Sequence, residues 1–130
     1  KGEMKGRPEF ASLNLRAAEK ARRMSAFHSA TKYVSNGIRL LPEDMWTSSR
    51  DITLRLHIIG AVMELALGHV IAMEQYIDTV LSREDCSTVD KFPLHMSKVY
   101  KLCTMDLKYD ETIEYCLAVL KELDCKMIFN

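Results

Sequence analysis

The four histidines of the sequence are the side chains best suited to proton transfer or metal binding near neutral pH. They are His28, His57, His69 and His95. None of them forms an H-x-x-x-H or H-E-x-x-H pattern, which would place two ligands on one helix face. His57 and Glu64 are spaced to share a helix face, but two groups do not make a metal site. We therefore expect structural or surface histidines, and we predict no metal and no cofactor.

Acidic residues cluster near the start of the last predicted helix. They are Asp106, Asp110, Glu111 and Glu114. Two carboxylates held close together can act as a general acid and a general base, which keeps a small helical enzyme open as an alternative. Carboxylates in a first helical turn also stabilise the positive end of the helix dipole. This second explanation accounts for the cluster, and no catalytic residue is predicted.

Three basic residues lie on one face of the first predicted helix. Arg16, Lys20 and Arg23 are spaced by four and three residues, so their side chains align. Such a face can bind phosphates or nucleic acid, but no aromatic residues are interleaved with it to stack on bases. A solvated face is the simplest interpretation, and contact with an acidic surface is the next. We take the three residues as a possible interaction face and do not expect nucleic acid as the partner.

The charge is balanced overall but uneven along the chain. The 130 residues carry 18 Lys and Arg against 18 Asp and Glu. Residues 1–32 hold eight basic and three acidic residues, a net of +5, whereas residues 33–130 hold ten and fifteen, a net of −5. The zero total excludes a bulk attraction to nucleic acid or to a membrane surface. The 48% apolar content is typical of a folded domain.

Four cysteines indicate the redox state of the cellular compartment. They are too far apart in sequence to form a C-x-x-C pair. They are Cys86, Cys103, Cys116 and Cys125. Without zinc-site spacing or a signal peptide, they predict reduced, mostly buried thiols and a cytoplasmic location. The most apolar stretch, residues 52–67, contains Arg55, His57 and Glu64, so no membrane span is predicted. Because the sequence begins with Lys1 and not with Met, we expect an excerpt of a longer protein.

Apolar residues at helical spacing predict six helices in three pairs. The pairs cover residues 11–42, 48–82 and 91–123. A flexible lead-in is predicted at residues 1–10, and residues 125–130 are expected to begin a further element. The apolar face of the first helix is predicted at Leu13, Ala17, Ala21 and Met24. The apolar face of the last helix is predicted at Ile113, Cys116, Leu117 and Leu120.

Short-range signals predict where these helices begin and end. Ser25 is the expected N-cap of the second helix, and residues 48–51 carry a capping-box pattern before the third. Gly68 is expected to allow the turn that ends the third helix. Pro93 is expected in the first turn of the fifth helix, where its missing N–H removes no helical hydrogen bond.

The second helices of the three pairs share one apolar pattern. Four positions recur at offsets of 43 and 82 residues: Phe27, Ala30, Val34 and Ile38, then Val70, Met73, Ile77 and Leu81, then Tyr109, Thr112, Cys116 and Leu120. A period of about 40 residues is typical of helical solenoids, in which each pair buries its apolar face against its neighbours. Three helical hairpins with ordinary periodicity and no common repeat remain the alternative.

Several segments resemble, in the same order, the tetratricopeptide-like region of large multidomain signalling ATPases. The most specific is Leu-Pro-Glu-Asp-x-Trp at residues 41–46, inside a similar stretch at 16–46. Further similar segments lie at residues 54–57, 64–68, 92–94, 99–100 and 109–113. In that family a protein kinase and an AAA-type (STAND-like) ATPase precede the repeats, and a histidine kinase often follows. Two features depart from the pattern: Leu107 stands where a glycine is usual, and the linker at residues 83–91 is long.

The resemblance implies an all-α fragment of a right-handed, tetratricopeptide-like solenoid with three antiparallel helix pairs. It implies a non-catalytic scaffold that contacts flanking domains of the same chain or another protein, with no membrane partner. The sequence has no phosphate-binding loop and no kinase motif, so the catalysis of such ATPases is not carried over to it. The residues expected to hold the stack are Phe27, Ala30, Trp46, Leu56, Ile59, Met63, Gly68, Val70, Val99 and Tyr109.

Overall fold

All regular structure in the described part of the chain is helical, which confirms the predicted all-α class. A computed structural model describes the backbone of residues 6–129 and the side chains of residues 6–123. The helices are α1 (Pro8–Arg23), α2 (Phe27–Leu40), α3 (Met45–Ser48), α4 (Arg50–Ala66), α5 (Val70–Leu81), α6 (Thr88–Tyr100) and α7 (Tyr109–Phe129). A π-helical turn, Lys101–Met105, follows α6 directly. Within these residues no helix is both long enough and apolar enough to cross a membrane.

Two of the helix ends extend beyond the predicted boundaries. α1 begins at Pro8, inside the predicted lead-in, because proline fits the first helical position; residues 1–5 of that lead-in lie outside the described residues. α7 does not end at residue 123 but runs through Phe129, so it includes most of the segment expected to begin a new element. The chain divides into two compact units, residues 1–78 and 79–130, and this division falls inside the second predicted pair.

The core of the first unit lies between α1, α2 and α4, each of which packs on the other two. Leu56 of α4 is fully buried at its centre. A Cβ atom added to Gly37 of α2 would lie 3.1 Å from the Leu56 Cδ1 atom, so the two helices touch at this point. α1 contributes mainly small side chains, which allow close approach. Its buried residues are Ala11, Leu15, Ala18 and Ala21.

The prediction of which side of the first helix is buried is wrong. Leu13 and Met24 are 56% and 69% exposed, and of the four predicted residues only Ala21 is buried. The buried residues Ala11, Leu15, Ala18 and Ala21 form a second series at helical spacing. α1 therefore turns its alanine-rich face to α2 and leaves two large apolar side chains outside.

The turn between α1 and α2 is a Schellman motif, and Ser25 is not the N-cap of α2. The N-cap is Ala26. The Ala26 N–H donates to the Ala21 carbonyl at 2.8 Å and the Ser25 N–H donates to the Arg22 carbonyl at 3.0 Å, the two bonds that define this motif. Ser25 occupies its left-handed position, with φ of 58°. A serine stands where glycine is usual, and this substitution hides the motif in the sequence.

The same left-handed turn position recurs in each of the three helix–turn–helix segments. Gly68, with φ of 79°, follows α4, and its N–H donates to the Leu65 carbonyl. The prediction that Gly68 allows this turn is confirmed. Leu107, with φ of 54°, lies between the π-helical turn and α7. Ser25, Gly68 and Leu107 are 43 and 39 residues apart, the same offsets as those of the apolar pattern.

The capping box predicted at residues 48–51 does not form. Ser49 is the N-cap of α4, but its side chain accepts no capping hydrogen bond. It has φ of −136° and ψ of 42°, and the preceding residues already form the short helix α3. Instead, the Thr53 hydroxyl lies 2.7 Å from the Ser49 carbonyl oxygen and 3.2 Å from the Met45 carbonyl oxygen, and the second of these contacts joins α4 to α3.

In the second unit, α6 begins earlier than the sequence predicts. A capping box joins the Ser87 hydroxyl and the Asp90 carboxylate to each other's backbone N–H groups, so the helix starts at Thr88. Pro93 consequently lies inside α6 and not in its first turn, which corrects the prediction. Four residues of the predicted polar linker at 83–91, residues 88–91, are therefore helical.

α7 presents a different face from the predicted one. Among its side chains in the described part, Thr112 and Val119 are buried. Three of the residues predicted to form its apolar face, Ile113, Leu117 and Leu120, are more than half exposed, and Cys116 is half-buried. Two hydrogen bonds between α6 and α7 fix this rotation: His95 Nδ1 to the Tyr115 hydroxyl at 2.6 Å and the Thr88 hydroxyl to Glu122 Oε1 at 2.6 Å.

Candidate interaction surfaces

The outward face of α1 combines three cations with apolar side chains. We call this face the α1 surface, and it consists of Leu13, Arg16, Ala17, Lys20, Arg23 and Met24. The three cations are exposed and line one open depression together with Leu13, Ala17 and Glu19. The Glu19 carboxylate forms an ion pair with Arg55 of α4, with 2.7 Å between Glu19 Oε2 and Arg55 Nη2. Within the described residues the three cations form no ion pair, so the surface keeps its positive charge.

The outward face of α7 carries the largest row of exposed apolar residues on any one described helix. We call it the α7 surface, and it consists of Tyr109, Asp110, Ile113, Glu114, Leu117 and Leu120. Its four apolar residues are spaced by four, four and three positions and are 58%, 58%, 61% and 52% exposed in chain order. Residues at this spacing form a stripe along one side of a helix. Asp110 and Glu114 are exposed along the stripe and form no ion pair within the described residues.

A polar network holds α7 against α6. His95 and Tyr115 share a hydrogen bond, and the Lys98 ammonium lies 5.5 Å from the centre of the Tyr115 ring. Burial lowers the pKa of His95; Glu122 opposes this shift, while Lys98 and Lys91 add to it. Burial, and then Glu122, raises the pKa of Tyr115. Both rings are therefore neutral near pH 7, and the network positions the α7 surface.

An aromatic cluster surrounds the buried His57 in the first unit. The His57 ring lies 5.1 Å from Trp46 and 5.8 Å, edge to face, from Tyr76. Its Nδ1 atom is 2.7 Å from the Thr53 carbonyl oxygen, so this nitrogen donates a hydrogen bond. Burial, and then Glu64, raises the pKa of Tyr76. His57 is thus a packed core histidine.

The predicted packing residues fall into three groups. Ala30, Leu56, Ile59 and Met63 are buried in the core of the first unit, and Phe27 packs against that core. Trp46, Val70 and Val99 are half-buried, and Gly68 forms the exposed turn. Tyr109 is exposed, so it packs in no core of the described chain. The predicted interaction residues Arg16, Lys20 and Arg23 do lie on one face.

Sequence reasoning missed the α7 surface as a surface, although its apolar spacing is visible. The apolar pattern at residues 109–120 predicts core packing, but periodicity alone does not say which of two stripes on a helix is covered. Within the described side chains, no group of three His, Cys, Asp or Glu residues could hold a metal ion. Cys86, Cys103 and Cys116 are free thiols, and Cys125 lies outside the described side chains.

The comparisons with known proteins supply no family. The chain matches no protein-family model, and no curated protein sequence and no solved structure shows significant similarity to it.

Proposed function

We propose that this chain is a non-catalytic helical scaffold that contacts other protein surfaces through its α1 and α7 surfaces. The α7 surface carries this proposal, since four neighbouring large apolar side chains are each more than half exposed. Contiguous apolar surface of this kind marks sites of protein contact. The three turns at equivalent positions, Ser25, Gly68 and Leu107, support helix–turn–helix repeats of the kind that stack in solenoids.

The contexts of the histidines also support a binding role over catalysis. His28 and His69 are exposed on the first unit, with ring centres 6.4 Å apart. His57 is buried and bonded to a backbone carbonyl, and His95 is bonded to Tyr115. Three of the four histidines thus have a hydrogen-bond partner, since His69 Nδ1 also lies 3.3 Å from Glu64 Oε1.

We also propose that the chain belongs to a tetratricopeptide-like region of a multidomain signalling ATPase or kinase. The ordered segment resemblance at residues 16–113 supports this placement. The free thiols of Cys86, Cys103 and Cys116 fit a reducing compartment, so we propose a cytoplasmic location.

A pair of neighbouring substitutions on α7 tests the scaffold function. Leu117→Glu places a charge in the apolar stripe, whereas Ala118→Glu places the same charge one residue later on another exposed face. Tagged wild-type chain and both variants are incubated with lysate, and the retained proteins are quantified by mass spectrometry. We expect a set of partners that wild type and Ala118→Glu retain and that Leu117→Glu loses. Identical sets for all three chains, at unchanged circular dichroism, would refute the role of the α7 surface.

A salt titration separates this function from binding of nucleic acid. The wild-type chain is titrated against a short labelled duplex at about 50 and 200 mM salt, because phosphate contacts weaken steeply over this range. Leu13 and Met24 lie among the cations of the α1 surface, and apolar side chains at these positions favour a protein partner. Salt-sensitive duplex binding that is lost on Arg16→Glu would instead favour the nucleic-acid alternative.

A further inference from the structure

Ser25 is the only serine or threonine in the sequence with arginines both two and three residues before it. The segment is Arg22-Arg23-Met24-Ser25. Many serine/threonine protein kinases select their substrates by this spacing, because carboxylates beside the kinase active site pair with the two guanidinium groups. Whether such a kinase can use the segment depends on access to the hydroxyl and to both arginines.

The Ser25 hydroxyl and both arginines are accessible. Residues 22–26 form the longest run of exposed residues in the described part of the first unit. Within the described residues Arg22 and Arg23 form no ion pair, and the Ser25 hydroxyl makes no hydrogen bond. The last carboxylate before Ser25 in the sequence belongs to Glu19, which is paired with Arg55 of α4. The two arginines are thus available to the carboxylates of another protein.

The turn that holds Ser25 can open without disturbing the core. Protein kinases bind the residues around an acceptor hydroxyl in an extended conformation, so the last turn of α1 must unwind. Unwinding breaks the two hydrogen bonds of the Schellman motif and those of one helical turn, but residues 22–26 hold no buried side chain. It also releases the strain of the left-handed φ at Ser25. Local opening of this kind requires less free energy than unfolding of the whole unit.

Thr53 provides a contrast within the same unit. Arg50 lies three residues before it, but the residue two before it is Asp51. The Thr53 side chain is fully buried, and its hydroxyl donates to the Ser49 carbonyl oxygen at 2.7 Å. The folded first unit therefore offers Ser25, and not Thr53, to a kinase that recognises arginines.

We propose that Ser25 is a phosphorylation site for a protein kinase that recognises arginines, and that the phosphate regulates the α1 surface. The Ser25 hydroxyl oxygen forms a bond to the γ-phosphorus of ATP, and the bond from that phosphorus to the β–γ bridging oxygen breaks. ADP leaves, and the hydroxyl proton passes to the catalytic aspartate of the kinase. The regulatory consequence rests on the proposed function, whereas the site itself does not.

The phosphate adds negative charge at the edge of the α1 surface, beside Arg23 and Met24. It carries about −1.5 to −2 charges at pH 7, which lowers the net charge of residues 1–32 from +5 to about +3. The C-terminal end of α1 repels an anion at Ser25, while the N-terminal end of α2, which has no acidic residue in its first turn, attracts it. Because these two effects oppose each other, pairing with Arg22 and Arg23 dominates. Binding of an acidic protein surface to α1 is weakened as a result.

Phosphorylation of the purified chain tests the site. The catalytic subunit of the cyclic-AMP-dependent protein kinase serves as the probe enzyme, with ATP, and mass spectrometry locates the phosphate. We expect about one phosphate per chain, on Ser25, and none on Ser25→Ala. Arg22→Gln/Arg23→Gln should lower kcat/KM by at least about 100-fold through the loss of two charged contacts. The control Lys32→Gln/Arg39→Gln removes the same charge from exposed positions of α2 and should leave kcat/KM unchanged.

A core variant distinguishes local opening from unfolding. Leu41 is buried in the core of the first unit just after the end of α2 that is remote from Ser25. Leu41→Ala raises the unfolded fraction and leaves residues 22–26 unchanged. If only the turn opens, kcat/KM should stay within about twofold of wild type. A kcat/KM that rises in proportion to the unfolded fraction would show that only the unfolded chain is phosphorylated, which overturns the proposal.

Analysis of the protein from its own cells completes the test. Purified with phosphatase inhibitors, it should contain the peptide of residues 24–32 in part with phosphate on Ser25. Detection of this peptide only without phosphate would overturn the site, as would a kcat/KM that is equal for wild type and Arg22→Gln/Arg23→Gln. Proteins that the chain loses on Arg16→Glu/Lys20→Glu should also be lost on phosphorylation, and equal retention by both forms would refute the regulation. A phosphorylated Ser25 in a chain that retains no other protein would refute the proposed function and leave the site standing.

Discussion

Replacing Ser25 by glycine is expected to stabilise the first unit. Ser25 occupies the left-handed position of the Schellman motif after α1, with φ of 58°. A residue with a Cβ atom is destabilised there by roughly 1–2 kcal/mol, because Cβ approaches the following carbonyl oxygen. The Ser25 side chain is exposed and makes no hydrogen bond within the described residues, so its removal loses no contact.

The size of the gain follows from two opposing terms. Glycine removes the strain of the left-handed position but loses about 0.5–1 kcal/mol more backbone entropy on folding than alanine does. The difference predicts a net stabilisation of about 0.5–1 kcal/mol. For a unit of this size, the melting midpoint should rise by roughly 3–6 °C. Ser25→Ala keeps the Cβ atom, so it should leave the midpoint unchanged.

The equivalent turn at Gly68 supplies the reverse experiment. It has the same two hydrogen bonds, and a Cβ atom added there would meet nothing within 4 Å. Gly68→Ser should therefore cost about 0.5–1 kcal/mol through backbone strain alone. Thermal melts followed by circular dichroism at 222 nm measure all three variants. If Ser25→Gly melts at or below the wild-type midpoint while Gly68→Ser melts lower, the prediction that backbone strain at Ser25 destabilises the first unit is refuted.

Two further predictions concern the core and the α6–α7 network. Leu56→Asp should abolish the cooperative melt of the first unit, a loss of more than about 4 kcal/mol, because a carboxylate would replace a fully buried side chain. The same substitution at the exposed Leu13 should change stability by less than about 0.5 kcal/mol, and an unchanged melt for Leu56→Asp would refute its central place. Because the folded-state pKa of His95 lies below its unfolded value, its stabilising contribution is present above about pH 6.5 and is lost as the pH falls. Urea titrations from pH 7.5 to 5 should show this loss in wild type and a shallower slope in His95→Gln; equal slopes would contradict it.

The helices were largely predictable because their lengths and apolar spacing agree. α2 and α5 begin and end within about two residues of the predicted bounds, the usual uncertainty of helix ends. The larger errors arise where one local signal hides another. A serine is common both as an N-cap and in turns. The backbone hydrogen bonds from Ser25 and Ala26 to the last turn of α1 place Ser25 in the turn. Pro93 suits a first turn, but the Ser87–Asp90 capping box begins the helix earlier.

The α1 surface was only half predictable. The cations Arg16, Lys20 and Arg23 could be assigned to one exposed face, since charged side chains at helical spacing seldom enter a core. For Leu13 and Met24 the sequence predicts the buried face and not the exposed one, because α1 carries two series of apolar residues at helical spacing. The series that α2 and α4 cover contains three alanines, which a hydrophobicity pattern ranks below leucine and methionine. Close helix approach selects the small side chains, and this selection depends on tertiary contacts.

The rotation of α7 shows why its apolar stripe is a surface. The residues that face α6 are Thr112, Tyr115, Val119 and Glu122, spaced by three, four and three positions. Two of them are held by hydrogen bonds to His95 and Thr88. Turning α7 by one residue, about 100°, would bring Ile113 and Leu120 of the stripe to the places of Thr112 and Val119 but would break both bonds and leave those polar groups unpaired. Leaving buried or half-buried polar groups without partners costs free energy, so these two hydrogen bonds help to hold α7 in the rotation that leaves the stripe exposed.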